Sequence, residues 1–188
     1  LVLLHDGVIP NDQVTRQLGC EERWNSSQHC FNVDVDKWGE TSLNGIFAAG
    51  DCTGIWGVQA AKLSGEIAAF EIARQLGMTN ADSRDKHTRP LFATLSRYKT
   101  FRPFIERRYP PSISRATDAA PDTIICRCEN VSAEEIRLAV SQGGTGPDQL
   151  KSFTRCGMGP CQGRSCSMAV AEIISAETGQ DIGDIGRQ

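Results

Sequence analysis

The sequence of 188 residues lacks the features that define several large protein classes. No apolar run approaches the roughly 20 residues that a membrane-spanning helix needs, so no membrane span is predicted. The first residues carry no basic region ahead of an apolar stretch, which argues against a secretory signal. Hydrophobic residues make up 39% of the chain and glycine contributes 18 residues, a composition typical of a folded protein rather than a disordered one.

Histidine is scarce, and its absence from the C-terminal third limits the kinds of metal site that this region can form. The three histidines, His5, His29 and His87, are scattered, and no Ser/His/Asp or paired-carboxylate pattern indicates a hydrolase. The C-terminal third has no histidine at all, which excludes Rieske-type ligation and mixed Cys/His zinc sites there. A G-x-G-x-x-G fingerprint following a strand is also missing, so the chain lacks the usual pyrophosphate-binding turn of a dinucleotide fold.

Positive charge is concentrated in one segment. Residues 84–115 hold nine Lys and Arg against Asp85 and Glu106, while the net charge of the whole chain is −3. Because no nucleic-acid recognition motif accompanies this charge, we expect no nucleic-acid partner. The segment is instead interpreted as a basic connector that lies on acidic domains or on a partner protein.

Hydrophobic periodicity predicts α/β structure in the N-terminal part. Residues 45–51 form a short apolar run closed by Gly50 and Asp51, as expected of a buried parallel strand. A helix with a broad apolar face follows, and Gly77 caps it. The other predictions are strands over 2–4 and 31–36, a helix over 58–76, a polar loop over 78–90, a helix over 91–99 and a linker over 110–122.

The C-terminal part has its own signals. Ser132 and Glu135 form a capping box that opens a helix reaching about Gln142. Pro147 suits the first position of a second helix, which reaches Arg155. A glycine-rich loop then covers 156–166, and a third helix runs over 168–178.

Five of the eight cysteines lie between 126 and 166, as a C-x-C pair and a C-x4-C-x4-C run. Clustered cysteines without a secretory signal favour metal binding in a reducing compartment. The C-x-C spacing and the nearby glycines favour an iron–sulfur cluster over structural zinc, which prefers pairs spaced by two to four residues. A cluster would also serve as the core of a module too small to rely on apolar burial alone.

Five cysteines compete for four ligand positions, and spacing alone leaves Cys156/Cys161 and Cys161/Cys166 open as the second pair. Cys166 begins a predicted helix, whose positive end favours a thiolate, whereas Cys156 ends one. On this ground we predict as metal ligands Cys126, Cys128, Cys161 and Cys166.

These two cysteine motifs resemble the bacterioferritin-associated-ferredoxin-like (BFD-like) [2Fe-2S] module. They are most similar to the version found at the C-terminus of flavoprotein dehydrogenases of the opine oxidase, hydrogen cyanide synthase and hydroxyproline dehydrogenase type. The resemblance implies a [2Fe-2S] cluster on the same four cysteines. Many relatives carry alanine where this chain has Cys156.

The stretch from Thr41 to Asp51 resembles the second FAD signature of two-dinucleotide-fold flavoproteins. The resemblance implies that Asp51, with Gly50, contacts the FAD ribityl chain and that the backbone at Gly57 and Val58 faces the flavin. It predicts an α/β fold in which the C-terminal part of an FAD/NAD(P)-binding domain precedes a small, mainly helical BFD-like domain. The expected boundaries are 1–80 for the first part, 81–122 for a basic helical or linker segment, and 123–188 for the [2Fe-2S] domain.

The resemblance further implies a subunit of an FAD-dependent oxidoreductase that acts on an amino acid, an opine or a similar C–N substrate, with electrons passing between FAD and the cluster. We expect the partner to be a second flavoprotein subunit. We also expect a cytoplasmic location, with any contact to the inner membrane made through partners. Since most of the FAD site would lie upstream, we expect a portion of a longer flavoprotein that is inactive by itself. The alternative is a non-catalytic, four-cysteine zinc module that mediates assembly.

Overall fold

A computed structural model describes residues 1–2, 7–112 and 114–186. The chain separates into two units, 1–111 and 112–188, each with its own core. The predicted strand over 2–4 falls largely outside the described residues.

Within its described residues, the first unit contains three α-helices and one small sheet. The helices are α1 (Gln13–Gln17), α2 (Val58–Gln75) and α3 (Ala81–Arg108). Strands β1 (Glu22–Asn25) and β2 (Cys30–Val33) pair antiparallel, with Glu22 opposite Val33. The expected strand over 31–36 is therefore shorter, and only an isolated bridge from Val35 to Thr41 extends it.

The predicted parallel strand over 45–51 is wrong for this structure. Phe47 makes an isolated antiparallel bridge with Glu40, and a 3-10 turn covers Asp51–Thr53. A parallel strand needs flanking strands for its hydrogen bonds, and the described residues form only two-stranded antiparallel sheets. The segment nevertheless leads through the turn at Asp51–Thr53 into the start of α2.

The predicted helix over 58–76 is confirmed as α2, but the predicted loop over 78–90 is wrong. Residues 81–90 belong to α3, which is 28 residues long and contains Pro90 and Pro103. Asn80 starts this helix, because its side-chain oxygen accepts a hydrogen bond from the Ser83 N–H at 2.9 Å. Helix α3 packs along α2 through Ile67 and Leu95, so tertiary burial outweighs the local effect of the prolines.

The second unit is a helical domain around one hairpin. Strands β3 (Ile124–Cys126) and β4 (Val131–Ser132) pair antiparallel. The predicted capping box at Ser132 and Glu135 is confirmed. The helices are α4 (Ser114–Thr117), α5 (Ala133–Ser141), α6 (Pro147–Thr154), α7 (Ser167–Thr178) and α8 (Ile182–Ile185).

The core of this second unit joins aliphatic side chains to three cysteines. Ile136, Leu150 and Ile174 are fully buried, and Cys126, Cys156 and Cys166 belong to the same cluster of buried side chains. Thiols therefore take places that a larger domain would fill with apolar side chains.

Candidate metal centre and flavin-contact segment

The β3–β4 hairpin presents the first two cysteines. Cys126 ends β3 and is buried, whereas Cys128 lies in the turn and is exposed. Asn130 makes the turn with a left-handed backbone, φ 55°. Asparagine tolerates this conformation better than most residues, so the hairpin closes without glycine.

The loop from 156 to 166 presents the other three cysteines. It begins where Arg155 adopts a left-handed conformation that ends α6, and the Cys156 N–H donates to the Thr154 hydroxyl at 3.1 Å. It ends at Cys166, the N-cap of α7. Cys156 and Cys166 are buried, and Cys161 is half-buried.

The two loops approach closely at Gly159. A side-chain carbon on Gly159 would overlap the Cβ of Cys128 and lie 3.1 Å from Oε1 of Glu129. Glu129 also accepts a hydrogen bond from Arg155 Nε at 2.9 Å, which joins the hairpin to the start of the cysteine loop. The absence of a side chain at 159 thus permits the loop contact.

Three sulfur atoms form what we call the inner sulfur group. The Sγ atoms of Cys126, Cys156 and Cys166 all lie within 4.8 Å of one another, and all three residues are buried. Cys128 and Cys161 form an outer pair, whose thiols are hydrogen-bonded to each other. The structure brings together Cys126 with Cys166 and Cys128 with Cys161. It also places Cys156, which lies outside the predicted ligand set, in the inner group.

Hydrogen bonds shift the acidity of these thiols in opposite directions. The Cys156 thiol donates to Cys166, which lowers the pKa of Cys166 to about 7 and raises the pKa of Cys156. The Ser165 N–H is the main cause of a lowered pKa at Cys161. The lowered pKa values of Cys161 and Cys166, two of the predicted ligands, favour the thiolate form that metal ligation requires.

The donor set contains only sulfur. Thiolates suit iron–sulfur clusters and zinc, and they do not suit magnesium or calcium. An outer pair beside an inner group offers the four or more thiols that a [2Fe-2S] cluster needs.

The other predicted site lies at the start of α2. Asp51 opens the 3-10 turn, and its Oδ1 atom is buried and accepts no hydrogen bond within the described part of the chain. A buried acceptor without a donor is costly, so its burial fits a ligand hydroxyl at that point. Gly50 and Gly57 both have φ 90°, and the Gly50 N–H donates to Ser64 Oγ at 3.1 Å.

Gly57 is the N-cap of α2 and Val58 is its first, exposed residue. No side chain of the described residues caps this helix, so its first N–H groups and the positive end of its dipole can face an electron-rich ligand atom. The residues predicted to contact FAD thus lie along one short segment.

Gln28 was not identified from the sequence, although its side chain fixes the backbone of this segment through two hydrogen bonds to Ile55. Its amide donates to the Ile55 carbonyl at 3.2 Å, and its side-chain oxygen accepts from the Ile55 N–H at 2.9 Å. Gln28 is buried, and it also donates to Glu106 at 2.6 Å. No local sequence signal marks a residue 27 positions from its partner.

Comparison with known proteins assigns the cysteine-rich unit. Residues 124–176 match the family described as BFD-like [2Fe-2S] binding domain. This region is a BFD-like [2Fe-2S] binding domain. The resemblance inferred from the two cysteine motifs is confirmed, and the BFD-like domain contains all five of the clustered cysteines.

The match extends beyond the BFD-like domain. The chain is 42% identical to an opine oxidase subunit of Rhizobium meliloti over 98% of its length, which covers 35% of that protein. It is 35% identical to hydrogen cyanide synthase subunit HcnB of Pseudomonas aeruginosa over 94% of its length, which covers 38% of that protein. The chain therefore spans a little over a third of the length of these relatives, both of which are named as subunits.

A solved structure shows the same fold. L-proline dehydrogenase from P. horikoshii superposes with a TM-score of 0.68 over 92% of this chain and 33% of that one, at 23% identity. This likeness confirms the predicted fold class at the level of the fold: the chain folds like part of that dehydrogenase, with the BFD-like domain at its C-terminal end. Separately, none of the described helices is both long and apolar enough to traverse a bilayer.

Proposed function

We propose that this chain is the electron-transfer portion of a subunit in a flavin-dependent oxidoreductase. The grouping of the BFD-like domain's five thiols into an inner group and an outer pair carries the proposal. When bound, FAD supplies two-electron oxidation of a C–N bond and the [2Fe-2S] cluster supplies one-electron transfer. The chain's own residues position the two groups and exclude water from the inner sulfurs.

The proposed ligands are Cys126, Cys128, Cys161 and Cys166. The pairs Cys126 with Cys166 and Cys128 with Cys161 each join the hairpin to the second loop. A [2Fe-2S] cluster needs four thiolates, and these residues would supply them from both loops.

The proposed FAD contacts are Gly50, Asp51, Gly57 and Val58. The unsatisfied Oδ1 of Asp51 and the uncapped start of α2 support this assignment. The likeness to the opine oxidase of Rhizobium meliloti supports an amino acid, an opine or a similar C–N compound as the substrate class. The names of the relatives support a partner subunit, and we propose that this partner is a second flavoprotein subunit. We also propose a cytoplasmic location, with any inner-membrane contact made by partners, and domain boundaries at 80 and 122.

Anaerobic purification tests the cluster directly. We expect a reddish-brown protein with iron and acid-labile sulfide in equal amounts, and a Cys161→Ser variant that loses both. Cys156→Ser should retain them, as should Cys52→Ser, a matched control from the other unit. A colourless protein that holds zinc would instead favour the assembly module, and loss of iron in Cys156→Ser with retention in Cys161→Ser would refute the ligand set.

A further inference from the structure

The BFD-like domain has one thiol more than a [2Fe-2S] cluster can bind. A cluster takes four protein thiolates, and the described loops provide five. Building on the proposed function, we propose that Cys156 stays outside the coordination sphere and that its thiol donates an S–H···S hydrogen bond, shared by the ligand sulfurs of Cys126 and Cys166, which lie within 4.8 Å of it. This bond raises the reduction potential of the cluster.

The position of Cys156 separates it from the ligands. It follows the C-terminal end of α6, where the carbonyl dipoles disfavour a negative sulfur, whereas Cys166 caps the N-terminus of the 12-residue helix α7. Of the two, Cys166 is therefore the better thiolate and Cys156 the better donor.

The surroundings of Cys156 hold its thiol against the sulfur atoms of Cys126 and Cys166. The residue is 0% exposed, and its Sγ lies within 4.8 Å of both neighbouring sulfurs. Its backbone is fixed by the bond to Thr154 and by the ion pair of Arg155 with Glu129. Water does not compete for this thiol, so the hydrogen bond is directed at the ligand sulfurs.

A hydrogen bond to a ligand sulfur withdraws negative charge from the cluster. Reduction adds an electron, and a donor stabilises the reduced form more than the oxidised form. Cys156 is thus a positioning residue that tunes the cluster without binding iron. No electron or proton is transferred to or from Cys156.

Two substitutions test this role through the reduction potential. Cys156→Ala removes the donor, so the potential should fall while iron and sulfide content stay at the wild-type level. Cys156→Ser keeps a hydroxyl donor and should restore much of the shift. The potential is measured by anaerobic titration with mediators. Cys20→Ala, which truncates a buried cysteine in the other unit, is the matched control and should leave the potential unchanged.

A spectroscopic signature separates a hydrogen bond from a packing effect. Pulsed electron–nuclear double resonance of the reduced cluster should detect an exchangeable proton coupling in the wild type and in Cys156→Ser, and its loss in Cys156→Ala. An unchanged potential in Cys156→Ala would overturn the inference and leave the proposed function intact. Loss of iron from both Cys156 variants would make Cys156 a ligand and overturn it too. A wild-type protein without iron would overturn the proposed function itself, and the inference with it.

Discussion

At the scale of single residues, Gly159 controls the distance between the two cysteine loops. A Cβ there would overlap the Cβ of Cys128, whose backbone and side chain belong to the hairpin turn. The hairpin would have to move to make room, and the outer pair of Cys128 and Cys161 would separate. Glycine is required here because of a close approach and not because of a positive φ.

We predict that Gly159→Ala loses most of its cluster. The added methyl group displaces Cys128 from Cys161, so two of the four proposed ligands are no longer held side by side. Iron and acid-labile sulfide, measured after anaerobic purification, should fall severalfold below the wild-type amounts.

Gly146→Ala is the matched control in the same unit. A Cβ at 146 meets no atom within 4 Å, so only a small cost at the N-cap of α6 is expected. Full iron content in Gly159→Ala would contradict the view that this contact sets the loop spacing.

At the scale of elements, a buried carboxylate ties α2 to α3. Glu71 of α2 is 3% exposed and accepts hydrogen bonds from Arg74 on its own helix and from Arg84 on α3. The Arg84 guanidinium also lies 4.0 Å from the centre of the Trp38 ring. The side-chain hydrogen bond from Arg74 is the main cause of a Glu71 pKa lowered to about 2, with Arg84 adding to the shift.

We predict that Glu71→Gln destabilises the first unit by about 2 kcal/mol at neutral pH. Because the folded pKa lies below the ordinary value of 4.5, the stabilisation is full above about pH 4.5. It is lost as the pH falls towards about 2, where the carboxylate becomes protonated. Urea unfolding at several pH values should therefore show the gap between wild type and variant narrowing over this range.

Glu66→Gln serves as the control on the same helix. Glu66 lies 3.9 Å from Lys62 and its side chain is 43% exposed, so its loss should change the free energy of unfolding by less than about 0.5 kcal/mol. Equal effects of the two substitutions, or a gap that stays constant with pH, would refute the role assigned to the buried carboxylate.

The element predictions succeeded where the signal was local. Ser132 with Glu135, Pro147 and the periodic pattern of α2 each fix an element through nearby residues, and the structure confirms all three. Only the central part of α3, residues 91–99, was predicted as helix. Its full length was missed because Pro90 and Pro103 argue against a longer helix locally, while its burial against α2 comes from a distant part of the chain.

At the scale of the whole molecule, the two units have different sources of stability. The first unit has an apolar core between α2 and α3, with Ile67 and Leu95 at its centre. The core of the second unit includes the inner sulfur group, so metal binding contributes to its folding free energy.

We predict that removing the cluster loosens the second unit selectively. Chelation of iron should raise amide hydrogen exchange in α5, α6 and α7 by about tenfold or more, equivalent to about 1.4 kcal/mol. Exchange in α2 is the internal reference and should stay unchanged, because its core contains none of the clustered cysteines. Equal acceleration in both units would show that the cluster is not a local structural element.

The chemistry of the candidate site could be predicted from the sequence, but the arrangement of its cysteines could not. The C-x-C and C-x4-C spacings identified the sulfur chemistry, and the family match confirms the [2Fe-2S] domain. The choice of four cysteines among five stays a prediction. The grouping of Cys156 with Cys126 and Cys166 depends on how two loops fold together, which spacing does not encode. The contact of Gln28 with Ile55 could not be predicted for the same reason, because it also depends on how distant parts of the chain fold together.

The lone acceptor on Asp51 also sets a polarity for whatever binds beside it. A buried oxygen that lacks a donor attracts hydroxyl and amide groups, and it repels the oxygens of a phosphate or a carboxylate. At the FAD contact proposed for Asp51, a dinucleotide would place its neutral polyol portion beside this atom and its anionic bridge elsewhere. This single atom would thus orient the molecule end to end.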